Sequence, residues 1–120
     1  MADRALFMAF DRPVRGSEER AIEACPEAVG LRGRRQNDGR LEEFEVVMLK
    51  PNAELGGFML VKGSAQQLHD LREDEEFQRA TVRAQLVVDG IRHVEGFTGA
   101  AVARQMEMFR EATTAIPQHA

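Results

Sequence analysis

The stretch Leu86 to Phe97 (Leu-Val-Val-Asp-Gly-Ile-Arg-His-Val-Glu-Gly-Phe) reads as an extended strand, and its two faces limit the folds that can hold it. With period two, Leu86, Val88, Gly90, Arg92 and Val94 share one side, which is nearly all apolar. Val87, Asp89, Ile91, His93 and Glu95 share the other, which mixes apolar and ionisable side chains. Such a face suits neither bulk water nor a plain core. The strand must therefore lie in a sheet with other structure over its mixed side.

Length and composition set the frame. A chain of 120 residues fits one domain, residues 1–120, with room for a hydrophobic core. Its 43% apolar and 30% charged content is that of a globular protein, and a formal charge of −4 argues against nucleic acid or anionic membrane as partner. Cys25 is the only cysteine, so no internal disulfide is available. No signal peptide and no apolar run near the ~18 residues of a membrane span is evident, and the expected setting is the reducing cytoplasm. Trp and Tyr are absent, which weakens any stacking mode of nucleic-acid recognition.

Along the chain the hydrophobic period changes repeatedly. Ala5 to Phe10 is a short apolar run ended by Asp11-Arg12-Pro13, as in a strand buried on both sides. Ser17 is an N-cap candidate for a first helix, and Pro26 predicts a kink near Ala24 or a second segment starting there. The Arg32, Arg34, Arg35 and Arg40 cluster is read as a solvated helix face, and Asn37-Asp38-Gly39 as its stop. Leu41 to Leu49 alternates, with Phe44, Val46 and Met48 on one side and Glu43, Glu45, Val47 and Leu49 on the other. Phe58 to Val61 forms a third strand, joined by a short hairpin-like connection. Ser64 with Gln67 makes a capping box that opens a second helix, broken or re-angled near Asp74. After the fourth strand, Val102, Met106 and Phe109 mark a last helix from about Gly99 to Ala112, and Pro117 to Ala120 should fray.

Strand, helix, strand, strand, helix, strand, helix is the split βαβ order with one appended helix, a ferredoxin-like α+β fold with a four-stranded antiparallel sheet. All helices then cover one sheet face. The other face is also apolar, so a monomer would expose a patch on the order of several hundred Å², and a homodimer, sheet against sheet, is expected. This order resembles that of small bacterial proteins of the dimeric α/β-barrel superfamily. So do the Ala9-Phe10-Asp11-Arg12-Pro13-Val14 opening, the Gly57 to Gly63 strand before a capped helix, and the Glu76-Phe77 then Gly90-Ile91 pattern. That group includes YCII-like proteins, muconolactone-isomerase-like enzymes and antibiotic-biosynthesis-type monooxygenases. The resemblance implies a barrel formed by two sheets with a cavity in each subunit. It does not choose an activity, and the His-Asp pair of YCII-like proteins has no match, since His93 and Asp89 share one strand here.

His93 is the first candidate for chemistry, as base or hydrogen-bond donor, with Asp89 or Glu95 to orient it. Neighbours two apart on a strand stand about 6.5–7 Å apart at Cα, so His93-x-Glu95 could offer two metal ligands, too few for a zinc site. The plainer account has His93 and Glu95 at a strand end near solvent. Glu45, on an edge strand, could approach His93 across a dimer, or could simply guard the edge with charge. Arg12 and Arg92 are anchors for a ligand carboxylate, unless surface acids pair with them. Cys25 has no evident activating partner and reads as a small packed side chain. The function expected is binding of a small organic molecule, with cofactor-independent acid/base or oxygenase-like chemistry and no bound cofactor or metal. The alternative is a non-catalytic dimerisation or interaction module.

Overall fold

A computed structural model of the chain describes residues 2–116. Residues 117–120, read above as a fraying end, lie outside the described residues. The elements are β1 (Arg4–Phe10), α1 (Glu18–Asn37), β2 (Glu43–Met48), β3 (Gly57–Gly63), α2 (Ala65–Glu73), α3 (Glu75–Val87), β4 (Arg92–Phe97) and α4 (Ala100–Ala115). The sheet is antiparallel with strand order β2-β3-β1-β4, which is the split βαβ arrangement. It is an open sheet, and one chain does not close a barrel by itself.

Register fixes the two faces. Val46, Met59, Met8 and His93 stand opposite one another across the four strands, as do Phe44, Val61, Leu6 and Glu95. These rows face the helices, where Leu6, Met8, Met59 and Val61 join Leu31, Leu41, Leu68, Leu71 and Phe77 in one core. Burying each large aliphatic group contributes about 1.5–3 kcal/mol relative to leaving it in water. The intervening rows, Glu45-Leu60-Phe7-Val94 and Val47-Phe58-Ala9-Arg92, form the face without helices. There the Phe7 and Phe58 rings lie 5.0 Å apart and Val94 is 55% exposed.

Three expectations need correction. Leu86 and Val87 are not strand: the stripe Phe77, Ala80, Ala84, Val87 keeps helical spacing, so α3 continues until Val88 turns extended. The strand proper is Arg92–Phe97, with Asp89-Gly90 as the turn before it. Gly90 has φ +72°, and a Cβ there would come within 2.0 Å of Asp11 Oδ2, so the turn needs glycine. Second, of the two alternatives at Pro26, a new segment is not realised, because α1 is a single helix from Glu18 to Asn37. Third, the arginine cluster is not uniformly solvated, because Arg32 and Arg35 are 5% and 8% exposed.

Other signals are realised as read. Ser64 Oγ accepts from the Gln67 N–H at 3.1 Å while Gln67 Oε1 accepts from the Ser64 N–H at 2.8 Å, completing the capping box. Gln67 Nε2 also donates to the Gly39 carbonyl at 2.9 Å, tying α2 to the turn after α1. Asp74 is extended between α2 and α3 and caps α3 by accepting from the Glu76 N–H. The appended α4 has its main contact with β4 and buries only Ala101, leaving Val102, Met106, Met108 and Phe109 exposed. That projection accounts for a 55 × 37 × 23 Å outline and a 17.3 Å radius of gyration, against about 14 Å for a compact chain of this length.

Ser64→Ala removes one arm of the capping box and should lower unfolding free energy by about 1 kcal/mol, whereas Leu68→Ala in the core should cost about 2–5 kcal/mol. Urea midpoints at constant m-value check both, and equal losses would show that α2 is held by its cap rather than by its buried face.

Candidate functional site

The facing stripes of α1 and α3 change character along their length. At one end Leu31 and Phe77 fill the space above the sheet. Towards the other end α1 presents Ala21, Ala24, Cys25 and Ala28, and α3 presents Ala80, Thr81 and Ala84. Side chains this small cannot bridge the gap between two helices and a sheet, and a cavity of about 530 Å³ remains. Its floor is Met8, Met59 and His93, and the exposed Ile22 and Met48 stand at its rim. The size lies within the range of about 300–1,000 Å³ typical of small-molecule sites, and the lining is mostly apolar. A second recess of about 440 Å³ is bounded by Gly39, Arg40, Gln67, Asp70, Glu73 and Asp74, with no aliphatic or aromatic side chain among them.

The polar side chains in the cavity's lining are Arg32, His93, Thr81 and Asp11, the last paired with Arg92 at 2.9 Å. Arg32 follows Ala21, Cys25 and Ala28 on one helical stripe, so its side chain enters the inner wall. Nη1 donates to the Ala28 carbonyl at 2.9 Å and Nη2 to Met8 Sδ at 3.2 Å, while Nε is buried without an acceptor. Its Cζ lies 5.2 Å from the Phe77 ring centroid, a cation–π contact. Among the described residues no carboxylate pairs with it. Loss of solvent pushes its pKa down to about 10, so the guanidinium is still charged at neutral pH.

His93 projects from β4 beside Met8, with its ring centroid 5.7 Å from that of Phe77. Phe77 thus stands against both polar groups. Burial holds the imidazole below its usual pKa, and the positive charges of Arg32 and Arg72 push in the same direction. His93 is therefore neutral at pH 7, able to accept a hydrogen bond or a proton.

The remaining candidates stand elsewhere. Asp89 is exposed in the turn before β4, where its N–H donates to the Arg12 carbonyl and its own carbonyl accepts from the Asp11 N–H, both at 2.8 Å. Glu95 shares the helix side with His93 but pairs with Arg72 at 3.1 Å near solvent. Arg92 pairs with Asp11 at 2.9 Å, and Arg12 is exposed. Glu45 lies on the face without helices, opposite in sense to His93. None of Asp89, Glu95, Arg12, Arg92 and Glu45 lines the cavity. Among the described residues, no group of three or more His, Cys, Asp or Glu side chains is placed to hold a metal ion, and no helix is long and apolar enough to cross a membrane.

Sequence reasoning missed Arg32 because it was read with its charged neighbours. The signal that finds it is the spacing: positions 21, 25, 28, 32 and 35 form one i, i+4, i+7 stripe, begun by small apolar residues and ending on two arginines.

With this geometry in view, comparison with known proteins gives likeness of fold. No protein-family model matches the chain, and no curated protein matches it. Among solved structures, a conserved protein from Methanosarcina mazei Go1 superposes with a TM-score of 0.63 at 10% identity, over 81% of this chain and 94% of that one. A conserved protein from Bacteroides thetaiotaomicron VPI-5482, described as a possible oxidoreductase, gives 0.62 at 13% identity, over 79% and 97%. A candidate antibiotic biosynthesis monooxygenase from Chloroflexus aurantiacus J-10-fl gives 0.55 at 11% identity, over 81% and 94%. The ferredoxin-like α+β fold is thus shared across almost the whole of each of these proteins.

The depressed His93 pKa has a pH signature. The unfolded chain takes up this proton near pH 6.5, while the fold resists it until lower pH, so stability should fall as pH drops from about 7 towards 5. His93→Gln should flatten that part of the curve. Unfolding midpoints at several pH values test this, and parallel curves for both proteins would mean that the imidazole is not desolvated.

Proposed function

We propose that the protein binds a small, mostly apolar organic molecule in the cavity between α1, α3 and the sheet. The observation that carries this reading is the cavity itself: about 530 Å³, lined mostly by apolar side chains, with Arg32 and His93 in its wall. Aliphatic residues at Ala28 and Ala84 would fill that space and increase stability by ordinary packing. The fold likeness to a candidate monooxygenase and a possible oxidoreductase agrees with a small-molecule site.

Chemistry at this site would begin with His93. As a neutral imidazole it can take a proton from an acidic C–H or O–H group of the ligand, and the charge on Arg32 stabilises the anion left behind. The resulting electron-rich carbanion or enolate is the kind of species from which an oxygenase-like reaction with dioxygen starts, without a bound cofactor. The lone Cys25 suits the reducing cytoplasmic setting of this reading.

The absence of Trp and Tyr leaves naphthyl fluorescence unobstructed, so 2-naphthoate and 2-naphthamide serve as probes. At least one should bind in the micromolar to millimolar range, with Ala84→Phe folded and binding at least tenfold more weakly. Failure of both probes to bind wild type, or unchanged binding by Ala84→Phe, would refute the cavity reading.

The sheet face without helices favours a second statement, that two copies pair across it. Phe7, Val47, Phe58, Leu60 and Val94 make it apolar, and the exposed side of α4 adds Val102, Met106 and Phe109. Wild type should have the solution mass of a dimer, and Leu60→Glu with Val94→Glu that of a monomer. A monomeric wild type would refute it.

A further inference from the structure

Two arginines one turn apart on α1 meet opposite fates. Arg35 is held by Asp74 and Glu76, each at 2.7 Å, so its burial is compensated in full view of the fold. Arg32 is equally buried, yet it has one carbonyl, one thioether and one aromatic face for partners, and its Nε has no acceptor. A buried guanidinium without a carboxylate is an unfavourable element of a fold, since buried charges are ordinarily paired. No structural need on α1 explains it. The side chain borders the cavity, so a ligand entering there meets a desolvated cation at the inner end of an apolar chamber.

We propose that the ligand of this cavity is an organic monoacid, whose planar carboxylate docks on Arg32 and whose apolar body fills the space between Ala21, Ala28, Ala80 and Ala84. This rests on the cavity reading above and adds the class of ligand. The guanidinium offers five N–H donors in a flat fork that matches a carboxylate, and with only two acceptors in the fold it has donors to spare. Phe77 lies over a face of the guanidinium, whereas a carboxylate binds in its plane along the N–H edge, so the two contacts do not compete. An inorganic anion would satisfy the charge but leave the apolar walls unfilled, so the chamber selects for the acid with a hydrocarbon body.

The test compares 2-naphthoate with its neutral isostere 2-naphthamide and with inorganic phosphate, using the full chain. Wild type should bind the acid at least tenfold more tightly than the amide, and phosphate more weakly than either. Arg32→Met should fold, lose that preference so that acid and amide bind alike, and melt a few degrees higher than wild type without ligand, because an uncompensated charge has been removed. Arg32→Lys should keep a reduced preference for the acid. Equal binding of acid and amide by wild type, phosphate binding as tight as the acid, or Arg32→Met melting lower while keeping the acid preference would each overturn the proposal. In the first case, binding that Ala84→Phe abolishes would leave the cavity reading standing. Failure of both naphthyl probes would remove the two together.

Discussion

The pairing of β1 on both edges governs the architecture. As the inner strand next to both β3 and β4, it carries Leu6 and Met8 on one side and Phe7 on the other, so it fixes what each face of the sheet must bury. Three helices answer the first demand. They meet Leu6, Met59 and Val61 with Leu31, Leu68 and Leu71, and with the alanines of α1 and α3 near His93. A close-packed core and an unfilled chamber are therefore two ends of one interface, separated by Phe77. The packed end supplies the stability that lets the other remain open.

Electrostatics follows the same division. At the packed end Arg35 gathers Asp74 and Glu76 and locks the α2–α3 junction against α1, with the Arg83–Glu27 pair joining α3 to α1 further along. At the open end Arg32 has no such partner, and its charge combines with desolvation to hold His93 neutral. Arg32 thus helps to hold His93 neutral, while its own lowered pKa comes from burial. A cation that stays charged and an imidazole that stays uncharged, both against Phe77, form an arrangement that stabilises negative charge near a proton acceptor. Pro26 belongs here as well: it lines the chamber, and because proline has no N–H, the Ile22 carbonyl one turn earlier lacks its helical donor.

Much of the architecture was legible in the residues. The order of elements, the Ser64–Gln67 capping box, the helix break at Asp74 and the alternation of Phe44, Val46 and Met48 all rest on local spacing, and each was realised. The beginning of the fourth strand was misread because Leu86, Val87 and Val88 satisfy a period of two as readily as a short helical stripe. That error placed Asp89 on the face of His93 when it belongs to the turn before the strand. The side that His93 shares with Ile91, away from Val94, could be read from the period of two, whereas Arg12, Arg92 and Glu45, chosen for a charge at a strand end or edge, stand at the surface or on the other face.

By itself the sequence determined the periodicities, and with them the elements, the sheet order they imply and the side of each strand that faces the helices. These depend on residues a few positions apart, whose relation is set by backbone geometry. Only the tertiary structure decided that Arg32 would be buried without a partner, that Arg35 would find Asp74 and Glu76 across 39 and 41 positions of chain, and that small side chains from two helices would coincide to leave a chamber. A charge's environment and a void's volume are properties of the elements that meet there, and no single element contains them.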